Sequence, residues 1–158
     1  MTLKEAIFRL ANINNELEDL STRLDRYVAV PISVNGLEQD VREDSAKMQE
    51  VLVQYENLVD EYISLQNMVN KAKMDNGISS LTIEVNEKRK YLRMINALIN
   101  LNHHYSSKKL GTFVESFGIV KYDTLNREEL LNKEKTLKEE VEKLSTRIDN
   151  LTSTVELY

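Results

Sequence analysis

The sequence contains no cysteine and no tryptophan, and it has only one proline and four glycines among 158 residues. The lack of cysteine excludes disulfide bonds and thiolate metal sites. No apolar run approaches the roughly 20 residues that a transmembrane helix needs. The first residues do not show the basic and then apolar pattern of a secretory signal. We therefore expect a cytoplasmic protein that does not enter membranes.

Long stretches without proline or glycine favour helices, and apolar heptads fill these stretches. The pattern is clearest near the C-terminus, where leucines recur every seven residues, at Leu130, Leu137, Leu144 and Leu151. Branched residues follow three of them after four residues, at Val141, Ile148 and Val155. Such a seam must be buried against other helices.

The same pattern predicts four helices, at about residues 2–27, 38–73, 79–105 and 126–155. Thr2 with Glu5, and Asn126 with Glu129, have the spacing of capping boxes. The acidic residues after position 37 suit a helix N-terminus. The sequence Met74 to Gly77 is typical of a helix end followed by a turn.

Two segments have β character, at residues 28–34 and 112–122. Both are rich in β-branched residues, and we expect them to pair with each other. The predicted fold is all-α: four long antiparallel helices in a coiled-coil-like bundle with a small two-stranded β appendage. We expect one domain over residues 1–158. The apolar stripes exceed what one chain of this length can cover, so we expect a homo-oligomer.

Charge is distributed unevenly in a chain whose net charge is −5. Residues 37–64 carry eight acidic and two basic residues, whereas residues 87–111 carry six basic residues and one acidic residue. This basic segment is the best candidate for a binding site. It combines cations, hydroxyl groups and an aromatic ring, which can hold a phosphate and stack on a base. The candidate ligand-binding residues are Arg89, Lys90, Arg93, His103, His104, Tyr105, Lys108 and Lys109.

A structural interpretation of the basic segment is also open. Basic residues and histidines near a helix C-terminus complement the helix dipole, and this helix could lie beside the acidic one. Nucleic acid fits poorly, because the net charge is negative and no long Lys/Arg stripe is present. His103 and His104 are adjacent and point about 100° apart on a helix, which argues against a metal site. No catalytic motif occurs, so we expect a protein that is not an enzyme and has no cofactor.

Several segments resemble the septicolysin family, in an order that covers nearly the whole chain. They are residues 3–7 (LKEAI), 20–23 (LSTR), 76–77 (NG), 81–82 (LT), 115–123 (ESFGIVKYD), 147–149 (RID) and 156–157 (EL). The tail of that family carries Asn-Trp where Thr152 and Ser153 stand here. The resemblance implies a small helical protein of a bacterium or a phage, and the family takes its name from a proposed pore-forming toxin.

Three functions follow as hypotheses. The first is a non-catalytic oligomer that sequesters an anionic, nucleotide-like small molecule at subunit junctions, as a phage anti-defence sponge in the host cytoplasm would. The second is a helical interaction protein that inhibits or scaffolds a protein partner. The third is the membrane-active or pore-forming protein that the family name suggests. No helix pairs a Lys/Arg-rich polar face with a bulky aromatic face, which argues against the third.

Overall fold

A computed structural model describes residues 1–28, 32–38, 40–103, 112–114, 120–122 and 126–158, with the side chains of residues 101–103, 112–114 and 120–122 outside the description. The chain forms two compact units. The first contains residues 1–76 and 152–158, and the second contains residues 77–151. Each unit has the order helix, β-hairpin, helix. The described part of the chain contains no helix that is long and apolar enough to cross a membrane.

The first helix, α1, spans Leu3–Tyr27 and begins as predicted. The Thr2 amide donates to Glu5 Oε2 at 2.8 Å, and the Glu5 amide donates to Thr2 Oγ1 at 3.2 Å. This reciprocal cap satisfies two backbone donors at the helix start. The buried residues recur every three or four positions, as one face of a helix requires. They are Leu3, Ala6, Leu10, Ile13 and Leu20.

The first hairpin contains β1 (Ser33–Val34) and β2 (Leu37–Glu38), which pair antiparallel. Asn35 and Gly36 both have positive φ, as a tight two-residue hairpin turn requires. The predicted pairing of residues 28–34 with residues 112–122 is therefore wrong. The second unit has its own hairpin, in which β3 (Thr112–Val114) pairs with β4 (Val120–Tyr122). The described residues thus form two small sheets instead of the single predicted one.

The second helix, α2, spans Arg42–Asp75 and begins four residues later than predicted, because β2 uses Leu37 and Glu38. It packs against α1, and Val51, Leu65 and Val69 are its buried residues. Gly77 follows the helix with a φ of +68°, a backbone conformation that glycine adopts at no steric cost. The helix ends at Asp75, two residues later than predicted, and the predicted turn before the third helix is confirmed at residues 76–77.

The third and fourth helices are α3 (Ile78–His103) and α4 (Arg127–Thr154), close to the predicted ranges. Asn126 Oδ1 accepts the Glu129 amide at 3.1 Å and so caps α4. Of the predicted C-terminal seam only Leu137 is buried, and its other members are half-buried. After α4, the Leu3 amide donates to the Val155 carbonyl at 2.8 Å, and the Leu157 amide donates to the Met1 carbonyl at 2.9 Å. Residues 155–157 are thereby hydrogen-bonded to residues 1–3 at the start of α1.

An interhelical ion pair joins α1 to α2. Arg9 Nε donates to Glu61 Oε1 at 2.8 Å, and Arg9 Nη2 donates to Glu61 Oε2 at 2.9 Å, while Arg9 Nη1 reaches Glu16 at 2.7 Å. The two parallel hydrogen bonds fix the guanidinium and the carboxylate in one plane. They lower the pKa of the Glu61 carboxyl below its ordinary value of 4.5.

The Arg9–Glu61 pair predicts a pH dependence of stability. Because the pKa of Glu61 is lower in the folded chain, the unfolded chain takes up the proton first as pH falls. The contribution of the pair is thus complete above about pH 4.5 and is lost as pH falls below that value. We expect Glu61→Gln to lower the melting temperature at pH 7 and to match the unsubstituted protein in acid. Thermal melts from neutral to acid pH test this, with the exposed Glu56→Gln as the control. A pH-independent difference would contradict it.

Candidate anion-binding site on α3

The basic residues of α3 lie on different faces of the helix. Consecutive helical residues are about 100° apart. The buried Val85 and Ile95 mark the core-facing side. By this spacing Lys88 and Arg89 flank the core side, whereas Lys90 and Arg93 lie on the outer half of the helix. The basic residues that are close together in the sequence therefore do not form one continuous basic surface on the helix.

Lys88 is in a structural ion pair. Its Nζ lies 2.6 Å from Glu140 Oε2 on α4 and 3.8 Å from Glu84 Oε1 one turn earlier on α3. The hydrogen bond to Glu140 raises the pKa of Lys88 above its ordinary value of 10.5. Lys88 therefore has a structural role, but its partner belongs to α4 and not to the acidic α2 that the structural interpretation named.

Lys90 is paired within its own helix. Its Nζ lies 2.5 Å from Glu87 Oε1, and both side chains are exposed. Such a pair contributes little to stability, because water screens both charges and two flexible side chains must be ordered. Lys90 can therefore exchange Glu87 for another anionic group at small cost.

Arg89 and Arg93 are different from the two lysines. Arg89 Nη2 donates to the neutral Ser145 Oγ of α4 at 3.0 Å, and Arg93 is exposed. Neither guanidinium forms an ion pair with an acidic residue in the described ranges of the chain. The two stand one helical turn apart, a separation at which side chains on a helix can contact the same group. They form a pair of cations whose charge is not neutralised by described carboxylates.

The other predicted site residues cannot be placed beside this pair. His103 is the last residue of α3, and its side chain lies outside the described part. His104, Tyr105, Lys108 and Lys109 also lie outside the described residues. Arg89, Lys90 and Arg93 are thus the predicted site residues whose surroundings are defined.

Comparison of the chain with protein-family models, with curated proteins and with solved structures found no match. The resemblance to the septicolysin family therefore stays a prediction. Inference about function rests on the chemistry of the chain itself. Among the described side chains, no three histidine or acidic residues lie close enough together to hold a metal ion.

A second feature, a groove between α1 and α2, was not predicted from the sequence. Its volume is about 430 Å³. Its lining residues are Glu16, Asp19, Leu20, Arg23, Gln54, Asn57 and Leu58. The polar members come from two helices and have no distinctive spacing in either, so no local pattern indicates the groove. Acidic, basic and amide groups are mixed in it, which makes it less selective for anions than the arginine pair on α3.

Proposed function

We propose that the protein is a non-catalytic, oligomeric binding protein that sequesters an anionic small molecule of nucleotide-like chemistry. The observation that carries the proposal is the pairing pattern on α3. Lys88 and Lys90 have carboxylate partners, whereas Arg89 and Arg93 have none in the described part of the chain. In a chain with a net charge of −5, two such guanidiniums one turn apart favour an anionic ligand.

The chemistry of the pair favours phosphate. A guanidinium offers parallel N–H donors that match two oxygens of a phosphate or carboxylate group. The hydroxyl of Ser145 lies beside Arg89 and adds a third donor. Exposed positions favour a ligand that is bound and released intact, since a reacting group would need a site from which water is excluded. The arrangement supports capture of the ligand without a reaction.

The oligomer belongs to this proposal because the candidate residues fall in two sets. Arg89 and Arg93 lie on α3, whereas Lys108 and Lys109 follow about 15 residues later in the sequence. In an oligomer of coiled-coil-like bundles, the second set could come from a neighbouring subunit. The ligand would then lie at a subunit junction.

We expect the double variant Arg89→Ala, Arg93→Ala to bind nucleotides at least about 100-fold more weakly, since hydrogen bonds to charged groups contribute about 1.5–3 kcal/mol each. Isothermal titration with AMP, ATP and a cyclic dinucleotide would measure the loss, and adenosine would serve as the uncharged control. The matched control variant is Arg23→Ala, Arg26→Ala, which removes the same charge from α1. If it loses as much affinity as the α3 variant, or if none of the three nucleotides binds, the proposal is wrong.

An interaction protein is the second candidate function, favoured by an exposed aromatic residue. Phe8 on α1 is 68% exposed, and the neighbouring Ile7 is also exposed. Large aromatic side chains at the centre of an interface often dominate binding energy. The two functions are separable, because Phe8→Asp would remove partner binding and leave nucleotide binding unchanged.

A further inference from the structure

Helix α3 has a second, exposed stripe, on the face opposite its core side, and the apolar ends of this stripe are Ile83 and Met94. Ile83 is 66% exposed and Met94 is 51% exposed. At about 100° per residue, Ile83 and Met94 point in nearly the same direction, roughly opposite to Val85 and Ile95. A single exposed isoleucine or methionine is ordinary, but an exposed stripe at helical spacing is typical of a helix that packs on both faces.

The charged residues within this stripe have a symmetric arrangement. Glu87 and Lys90 lie between Ile83 and Met94, on the same outer face. Ile83 and Met94 are equidistant from the midpoint of the Glu87–Lys90 pair. A two-fold axis through that midpoint would run a second α3 antiparallel to the first. It would bring Ile83 of each copy to Met94 of the other, and Glu87 of each copy to Lys90 of the other.

We infer that this face of α3 binds α3 of a second copy of the chain in antiparallel orientation. The charge complementarity selects this occupant. An interface across a two-fold axis must be self-complementary, because the same patch serves both partners. Here the apolar ends face apolar ends, and at the centre two carboxylates alternate with two ammonium groups. A parallel arrangement would place Glu87 against Glu87 and Lys90 against Lys90, which like-charge repulsion disfavours.

The interface has a consequence for ligand capture, and this step rests on the proposed function. Arg89 and Arg93 lie on one flank of the stripe, and an antiparallel two-fold axis places the same flank of both copies at the same edge. Four guanidiniums would then border that edge of the dimer. The inference about the interface does not itself require the ligand.

The test is a pair of opposite charge reversals. We expect Glu87→Lys and Lys90→Glu each to weaken self-association about tenfold or more, because each places four like charges at the centre of the interface. A mixture of the two variants should associate again, since one supplies only cations and the other only anions there. The double variant Glu87→Lys, Lys90→Glu should also associate. Analytical ultracentrifugation over a range of concentrations would measure all four samples.

An apolar substitution with a matched control completes the test. Ile83→Asp should weaken association, whereas Ile63→Asp should leave it unchanged, because Ile63 is 53% exposed on α2 and lies outside the stripe. Both positions are exposed, so circular dichroism should show unaltered helix content. A monomer at high micromolar concentration, or charge-reversed variants that associate as before, would overturn the inference. If the unsubstituted protein forms the dimer but binds no nucleotide, only the proposed function is contradicted.

Discussion

Replacing Ile13 with alanine is expected to lower the free energy of unfolding by about 2–5 kcal/mol, the usual cost of truncating a buried isoleucine. Its side chain is 0% exposed and lies on the face of α1 that also buries Ala6 and Leu10. The substitution removes apolar contacts and leaves a cavity that the surrounding helices can fill only in part. Urea denaturation followed by circular dichroism would measure the change.

The control for Ile13 is an isoleucine on the neighbouring helix. Ile63 on α2 is 53% exposed, so its replacement by alanine removes little buried area and should change stability by less than about 1 kcal/mol. Both substitutions remove the same atoms and both favour helix formation equally. If the two variants had equal stability, the assignment of Ile13 to a buried face of α1 would be wrong.

The helices could be predicted because their signals are local. The Thr2–Glu5 cap and the apolar rows that include Leu10 and Ile13 lie within α1 itself, and the structure confirms its ends to within one residue. The same holds for α4, whose cap at Asn126 was visible as a spacing. Periodicity over several turns is a strong signal because burial of one face requires it.

The hairpins were mispredicted because they are short. In the first hairpin, a signal for a helix start also outweighed the signal for a hairpin turn. Each strand of the first hairpin has two exposed residues, too few to show an alternating pattern. Asn35-Gly36 is a strong hairpin signal. However, the acidic residues that follow favour a helix N-terminus, and this interpretation placed Glu38 at the start of the second predicted helix. Pairing over a short range is also favoured by the small entropy cost of closing the loop.

The candidate site could be predicted only as a concentration of charge. Which cations remain available depends on partners that are distant in the sequence. Glu140, the partner of Lys88, is 52 residues away, and Ser145 is 56 residues from Arg89. No local pattern distinguishes Lys88 from Arg93, because their difference arises from the packing of α3 beside α4. Sequence therefore indicated the helix, and the structure indicated which of its side chains are neutralised.

The second large effect is expected at Leu137, the buried residue of α4 within the described chain. Leu137→Ala should lower the free energy of unfolding by about 2–5 kcal/mol. The exposed Leu131→Ala on the same helix is the matched control and should have a much smaller effect. Leu137 belongs to the second compact unit, whereas Ile13 belongs to the first. Comparing the two variants therefore tests whether the chain unfolds as one domain.

The prediction of one domain gives a definite result in hydrogen exchange. The helix α4 runs without interruption from the second unit into residues 152–154 of the first, and Val155 then accepts the Leu3 amide. Unfolding of α4 would withdraw that partner from the start of α1. We therefore expect Leu137→Ala to speed exchange of the most protected amides in α1 as much as in α3, because both exchange through the same global opening. Faster exchange in α3 alone would mean that the units unfold separately, and that each must be stabilised by its own small core.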